Sequence, residues 1–231
     1  MAYNLKSANV RYCQTSSNIY GQYVGGLVYR NEGSIYYSRV YKENSKALLK
    51  VYYVAGLVKY MDKGEIVDCS IDTVIIGIDE NSISAGMVIN FTGTKDSYGT
   101  IKRCVINNYF KYKTSANGNT ISGNGLKYNV SVDNVFEGVK TGLFKKARNT
   151  GTIINCVILK NTEDGIQKDY KIKKDSVSDS NYKLVTSAEM QLKDTYSNGT
   201  KNSFDFNIGS SKSNVWYYTG VGLPVLSVFV K

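Results

Sequence analysis

The sequence predicts an all-β chain that folds as a right-handed parallel β-helix of about six rungs, closed by a C-terminal cap. Two observations predict this fold. The tripeptide Gly-(Leu/Met)-Val begins at Gly26, Gly56 and Gly86, so its copies start 30 residues apart, and a fixed period of that length is typical of stacked repeats. The segments between these glycines combine turn residues with short runs of β-branched and aromatic residues, and helical periodicity is lacking before residue 185.

The second half of each repeat is the more regular half. It consists of a turn, a glycine, an apolar residue and, three positions later, a small residue. Leucine-rich repeats have more frequent leucines and propeller blades are longer, so a parallel β-helix fits best. The clear apolar and small pairs are Ile35 and Ser38, Ile66 and Cys69, Ile101 and Cys104, and Ile153 and Cys156, with degenerate copies at residues 10–13 and 132–135.

The four cysteines all occupy the small-residue position of the repeat. Stacked repeats place equivalent residues above one another, so we expect an internal row of small side chains with buried free thiols. A metal site is the competing interpretation, but the chain has no histidine and no C-x-x-C pair. Disulfides between neighbouring rungs are a further alternative. The predicted structural ladder is Cys13, Ser38, Cys69, Cys104, Val135 and Cys156.

Tyrosine and lysine dominate the expected surface. The chain has 20 tyrosines and a formal net charge of +10. Tyrosine rows either pack on the sheet surface or form an aromatic platform for sugars or protein partners. The positive charge is nearly all lysine, which disfavours base readout and therefore nucleic acid as a partner. The candidate binding surface consists of Tyr36, Tyr37, Tyr52, Tyr53, Tyr109, Tyr112, Lys145, Lys146 and Arg148.

The chain divides into two predicted parts. Residues 1–185 carry the repeats, and residues 186–231 form a capping segment that covers an open solenoid end. A short helix is expected to begin at Thr186 or Ser187, with Glu189 in its first turn. A strand is expected from Pro224. We find no signal peptide and no stretch long enough to span a membrane, so no membrane insertion is expected.

These residues resemble the GLUG motif of bacterial surface and adhesin-type proteins. The resemblance lies in residues 26–40, 56–71 and 142–157, and the segments around Trp216 and residues 222–226 resemble the region that closes such arrays. Residues 110–140 and 161–183 depart from the period. The resemblance implies a β-helical stalk or adhesive surface and supplies no catalytic residues.

The expected function is therefore a non-enzymatic structural or adhesive one. The protein is expected on a cell surface or a virion, as a fibre, decoration or receptor-binding component that contacts glycans, another protein or a second copy of itself. No catalytic residue, metal or cofactor is predicted. One alternative is a polysaccharide lyase or hydrolase, for which Asp62, Glu65 and Asp68, or Asp79 and Glu80, are the candidate acids. The other is a spacer within a larger secreted peptidase.

Overall fold

The computed structural model describes residues 3–41, 48–77, 83–92, 99–113, 120–123, 144–148, 152–159, 161–163, 166–168, 181–197 and 206–230. Strands predominate in these ranges, and most strand pairs are parallel. The described helices are three short 3-10 turns, at Glu189–Gln191, Lys193–Tyr196 and Ser227–Phe229. The prediction of an all-β chain is therefore confirmed.

The described strands follow one another as short segments. The first are β1 (Tyr3–Asn4), β2 (Asn9–Arg11), β3 (Gln14–Thr15), β4 (Ile19–Gly25), β5 (Val28–Asn31), β6 (Ser34–Tyr36), β7 (Arg39–Tyr41) and β8 (Leu48–Ala55). Next are β9 (Val58–Met61), β10 (Glu65–Val67), β11 (Ser70–Gly77), β12 (Ile83–Ala85), β13 (Val88–Thr92), β14 (Thr100–Lys102), β15 (Val105–Lys113) and β16 (Thr120–Gly123). The last are β17 (Phe144–Arg148), β18 (Thr152–Leu159), β19 (Asn161–Glu163), β20 (Ile166–Lys168), β21 (Asn181–Val185), β22 (Ile208–Gly209), β23 (Trp216–Tyr217) and β24 (Val225–Leu226).

The first sheet is built from the Gly-Leu-Val halves of the repeats. Its order is β1-β5-β9-β13-β17, and all its strand pairs are parallel. Val28 pairs with Val58, Val58 with Val88, and Val88 with Phe144. The 30-residue spacing in the sequence thus brings equivalent residues of successive repeats opposite one another on neighbouring strands.

The second sheet contains the Gly-x-Ile halves in the same way. Its parallel path β2-β6-β10-β14-β18 brings Val10, Ile35, Ile66, Ile101 and Ile153 into one row of direct neighbours. The degenerate first copy is therefore a true member of the row. The degenerate copy at 132–135 lies outside the described residues.

The repeat glycines are required by the close approach of neighbouring strands. A Cβ on Gly26 would lie 2.1 Å from the carbonyl oxygen of Gly56. A Cβ on Gly64, whose φ is +77°, would lie 1.8 Å from the oxygen of Gly33. Both distances are far inside van der Waals contact, so a side chain at either position forces the strands apart. The two glycines of the motif recur because each copy meets the next at the same place.

Two core clusters lie on opposite faces of the second sheet. The first joins Val28 and Val58 of the first sheet to Ile66 and Ile106 of the second, so it fills the space between the sheets. Adjacent residues of a strand point to opposite faces, and Val105, next to Ile106, belongs to the second cluster. The second cluster contains Val105, Val157, Leu159, Val185, Met190, Tyr196, Phe206, Trp216 and Leu226.

The C-terminal segment (residues 186–197 and 206–230 of the described chain) supplies the outer half of this second cluster. The helix expected here is a 3-10 turn at Glu189–Gln191, whose N-cap is Ala188 and not Thr186 or Ser187. Just before it, the Thr186 hydroxyl accepts the Glu189 N–H at 3.2 Å and the Glu189 carboxylate accepts the Thr186 N–H at 2.7 Å. These are the reciprocal bonds of a capping box, although the turn they begin is 3-10. The strand expected from Pro224 is β24, which pairs antiparallel with β23. The segment covers one face of the second sheet.

The two stretches that depart from the period contain antiparallel pairs. Strand β15 continues to Lys113 and pairs with β16, so that Phe110 lies opposite Gly123. Strands β19 and β20 pair in the same way, Asn161 opposite Lys168. Within the described residues of these stretches, antiparallel pairing thus occurs beside the parallel pairing of the repeats, which β21 continues.

Candidate functional site

A column of residues with a left-handed backbone conformation, that is with positive φ, runs along the second sheet. Each member directly precedes a ladder position and has a φ between 47° and 55°. Such values are uncommon for residues other than glycine, so their recurrence marks a bend made at the same point of every repeat. We call this set the corner column: Tyr12, Tyr37, Asp68, Arg103 and Asn155.

The ladder side chains hydrogen-bond the backbone at these bends. The thiol of Cys104 donates to the carbonyl of Lys102 at 3.3 Å and to that of Ile66 in the neighbouring repeat at 3.7 Å. Cys69 and Cys156 repeat both bonds, and the Ser38 hydroxyl makes the first of them at 2.8 Å. A small side chain with one donor therefore suits this position.

The ladder cysteines are free and belong to the first core cluster. Cys69, Cys104 and Cys156 are fully buried there, and Cys13 is partly buried against the cluster. Burial in this apolar setting raises the pKa of the Cys69 and Cys156 thiols well above the ordinary value. Within the described ranges, no group of three or more metal-ligating residues occurs. Val135 lies outside the described residues.

The corner column changes character along its length. At one end the rings of Tyr12 and Tyr37 stack, with centroids 5.5 Å apart and planes 11° from parallel. Further along, the Arg103 guanidinium donates to the Asp68 carboxylate at 2.8 Å and 2.5 Å, although Asp68 itself is fully buried. The Asp68 carboxylate raises the pKa of Arg103, mainly by hydrogen bonding. One end of the column is thus aromatic, and its middle is ionic.

The C-terminal segment docks on this column. The Trp216 indole N–H donates to Asp68 Oδ1 at 3.1 Å, in a bond that joins residues 148 positions apart. The Arg39 guanidinium lies 4.5 Å from the centroid of the Phe229 ring, a favourable cation–π distance. Asp68 therefore receives both a cation and an indole donor, which satisfies a buried carboxylate.

A groove of about 310 Å³ remains between the aromatic end of the column and the C-terminal segment. Tyr12 and Tyr37 line one side. Residues 212–215 and 226–228 line the other. The hydroxyl of Ser227 is buried and has no hydrogen-bond partner among the described residues. A buried hydroxyl without a partner costs free energy, and Ser227 is one of the residues that line the groove.

The candidate tyrosines lie on or beside three strands of the second sheet. Tyr36 donates its hydroxyl to Glu65 and lies under the Arg11 guanidinium at 4.8 Å. The neighbouring rings of Tyr36 and Tyr37 are tilted by 34°, whereas those of Tyr12 and Tyr37 are nearly parallel. The ring that stacks on Tyr37 is therefore Tyr12 and not Tyr36. Tyr52 and Tyr53 lie on β8, and Tyr109 and Tyr112 lie on β15.

The basic candidates lie elsewhere in the fold. Lys145, Lys146 and Arg148 belong to β17, at one edge of the first sheet. The tyrosines belong to or adjoin the second sheet. Of the predicted residues whose side chains the structure describes, Tyr36 and Tyr37, it is Tyr37 that lines the groove. Sequence reasoning missed Tyr12, Lys212, Trp216 and Ser227. For Tyr12 a signal was present, since Tyr12 and Tyr37 both directly precede a ladder residue.

The candidate acids of the lyase alternative are engaged by separate partners. Asp62 accepts from Arg30 at 2.5 Å, Glu65 accepts from Tyr36, and Asp68 is buried beneath Arg103 and Trp216. Each of these three acids thus has its own partner, and the buried Asp68 is the least accessible of them. Asp79 and Glu80 lie outside the described residues.

A buried lysine lies among tyrosine rings near the N-terminal strands. The Lys59 amine is 3.8 Å from the centroid of Tyr23, 4.4 Å from that of Tyr60 and 4.9 Å from that of Tyr29. The residue is only 2% exposed, and burial lowers the pKa of its amine. The rings replace part of the hydration that the ammonium loses.

Comparisons with protein-family models, with curated proteins and with solved structures each found no match for this chain. The resemblance to GLUG-motif proteins therefore stays a prediction. Within the ranges that the structure describes, no helix is long and apolar enough to cross a bilayer.

Proposed function

We propose that this protein is a non-enzymatic structural or adhesive β-helix that acts outside the cell, on a cell surface or a virion. In this proposal the two parallel sheets are walls of one right-handed coil, related to the GLUG-motif arrays. Residues 186–231 are its capping segment, the described part of which packs along one face of the second sheet. The matched registers of the two sheets and the core that both share support a coil. The repeat glycines and the recurring corner residues support it further, since each recurs once per turn.

The observation that carries the adhesive function is the exposure of tyrosines at one edge of the sheets. Strands β1, β2, β3 and β4 each have one described strand neighbour, so they form edges. Large apolar side chains that are exposed together mark contact surfaces, and tyrosine combines a flat apolar ring with a polar tip. On or beside these edge strands, the tyrosines that are more than half exposed are Tyr3, Tyr12, Tyr20 and Tyr23.

The partner classes follow from the same surface and from the charge. Exposed rings suit a sugar or a protein partner, and a net charge of +10 favours an acidic one. The lysine-rich character of that charge disfavours sequence-specific nucleic-acid binding. The separate engagement of Asp62, Glu65 and Asp68 supports the non-enzymatic reading over the lyase alternative.

The test is retention on surfaces. Fluorescently labelled protein is incubated with a panel of bacterial cells and with their purified wall polysaccharides, over a series of salt concentrations. We expect retention that weakens with salt and falls when Tyr3, Tyr12, Tyr20 and Tyr23 are replaced together by serine. Absence of retention on every surface would contradict the proposal, and release of reducing sugars would favour the lyase alternative.

A further inference from the structure

The groove beside the stacked tyrosines has the features of a small ligand site. Its volume of about 310 Å³ lies at the lower end of the range for small-molecule sites. It lies between two parts of the chain that are far apart in sequence, and such junctions commonly hold ligands. The site has an aromatic side and a polar side.

The aromatic side is a flat surface that is already held in place. Tyr37 lies beneath Tyr12 and is itself packed against the second core cluster. Tyr12 is 54% exposed, so the ring is fixed by its stacking partner while much of its surface meets solvent. The axial C–H face of a pyranose is apolar, and a fixed, flat ring offers that face close contact with little loss of conformational entropy.

The polar side supplies what the hydroxyls of such a ring need. The Ser227 hydroxyl, in a residue 9% exposed, lacks a partner in the described structure. The Asn214 side chain also lines the groove, where its amide is positioned by a 2.9 Å bond to Asn207. The charged residue among the lining residues is Lys212. A charge of one sign in such a site selects a ligand of the other sign.

We propose that this groove binds one pyranose ring of an anionic oligosaccharide. The ring stacks on Tyr12, the Ser227 hydroxyl turns about the Cα–Cβ bond into the groove and donates to a ring hydroxyl, and Lys212 pairs with a carboxylate of the sugar. This inference rests on the proposed adhesive function and narrows it to one site and one ligand class.

The experiment is calorimetric titration of the full chain with two matched pairs of probes. One pair is trigalacturonate and its methyl ester, and the other is 3′-sialyllactose and lactose. We expect at least one anionic probe to bind, and its neutral counterpart to bind about fivefold more weakly or not at all. The Tyr12→Ala variant should lose about tenfold in affinity, whereas Tyr12→Phe, which keeps the stacking face, should not.

Two further variants separate a binding role from a structural one. Ser227→Ala removes an unpartnered buried hydroxyl, so it should leave the Tm unchanged or raise it, yet weaken binding about fivefold. Lys212→Ala, at an exposed position, should weaken the anionic probes and not the neutral ones. The matched control is Leu192→Ala, which removes an exposed apolar side chain outside both the groove and the set of exposed tyrosines and should leave affinity unchanged.

Different results would overturn the groove as a binding site and the adhesive function. Binding that survives Tyr12→Ala and Lys212→Ala places the ligand elsewhere and overturns the groove, while the adhesive function stands. If none of the four probes binds, the ligand class is wrong, and retention on cells then decides the function independently. A lower Tm with intact affinity in Ser227→Ala would show that the hydroxyl stabilises the fold and does not bind the sugar, which contradicts its proposed role.

Discussion

At the residue scale, the bend at each corner-column residue and the small ladder side chain that follows it occur together. The left-handed residue turns the chain, and the next residue places a thiol or hydroxyl against the carbonyl two positions before it, as Ser38 does with Tyr36 and Cys69 does with Val67. That carbonyl also accepts a backbone N–H from the neighbouring repeat, Tyr12 N–H for Tyr36 and Tyr37 N–H for Val67. The thiol or hydroxyl therefore adds a second hydrogen bond, worth about 0.5–1.5 kcal/mol. This structural role is sufficient to explain cysteine at this position, without a metal or redox role.

The burial of these thiols predicts their reactivity. In native buffer only Cys13, which is partly exposed, should react quickly with a thiol reagent, because Cys69, Cys104 and Cys156 are fully buried and the thiolate is the reactive form. All four should react after unfolding in guanidinium chloride. The control is Cys13→Ser, which should abolish the fast native phase; several fast thiols in the native protein would contradict the buried ladder.

The tyrosine-surrounded Lys59 predicts how stability changes with pH. Burial lowers the pKa of its amine below the usual value of about 10.4. Between the folded and unfolded pKa values the unfolded chain binds more protons, so the free energy of unfolding rises with pH in that window. Lys59→Met removes this contribution, so wild-type protein should gain stability relative to the variant as the pH approaches about 10.4.

Urea titrations at a series of pH values measure this difference, and the background from the many tyrosines cancels between wild type and variant. The matched control is Lys6→Met, which removes the same charge from an exposed residue. Equal pH dependence in the two variants would show that the burial of Lys59 is not the cause.

At the element scale, the C-terminal segment is fastened to the second sheet at Asp68. Trp216→Phe keeps an aromatic ring and removes the indole donor, so it should lower the free energy of unfolding by about 1–2 kcal/mol. Asp68→Asn breaks a buried ion pair, which should cost about 3 kcal/mol, at the lower end of the usual range because Arg103 is partly exposed.

Urea denaturation of both single variants and the double variant checks this arrangement. Because the two side chains share one hydrogen bond, the effects should be less than additive. Strict additivity would mean that Trp216 and Asp68 stabilise the fold independently.

The elements differ in how far the sequence predicts them. Strands β5, β9 and β13 were predictable because each copy of Gly-Leu-Val reports on the same contact with its neighbours, and three copies reinforce one another. The bond between Trp216 and Asp68 was not, since it joins a repeat to a segment that has no second copy. For the same reason the groove and the place of Ser227 in it could not be predicted from the sequence. The stacking of Tyr12 on Tyr37 could have been, because both occupy the same position of the repeat.

At the scale of the whole molecule, the second sheet is covered on both faces. Its first face meets the first sheet, and its other face meets the C-terminal segment through Val157, Leu159 and Val185. Burying such side chains contributes about 1.5–3 kcal/mol each. Removal of the segment therefore exposes a contiguous apolar face beside strand edges, a combination that favours association between chains.

Truncation to residues 1–185 should consequently produce a protein that aggregates, whereas the full chain stays soluble. Light scattering coupled to size exclusion measures the association, and binding of a hydrophobic dye reports the exposed face. The matched control is the same truncation with Val157→Thr and Leu159→Thr, which places β-branched residues at both positions of β18 but makes the uncovered face polar, and it should recover solubility. A truncated protein that is monomeric without these changes would show that the segment is dispensable for covering the sheet.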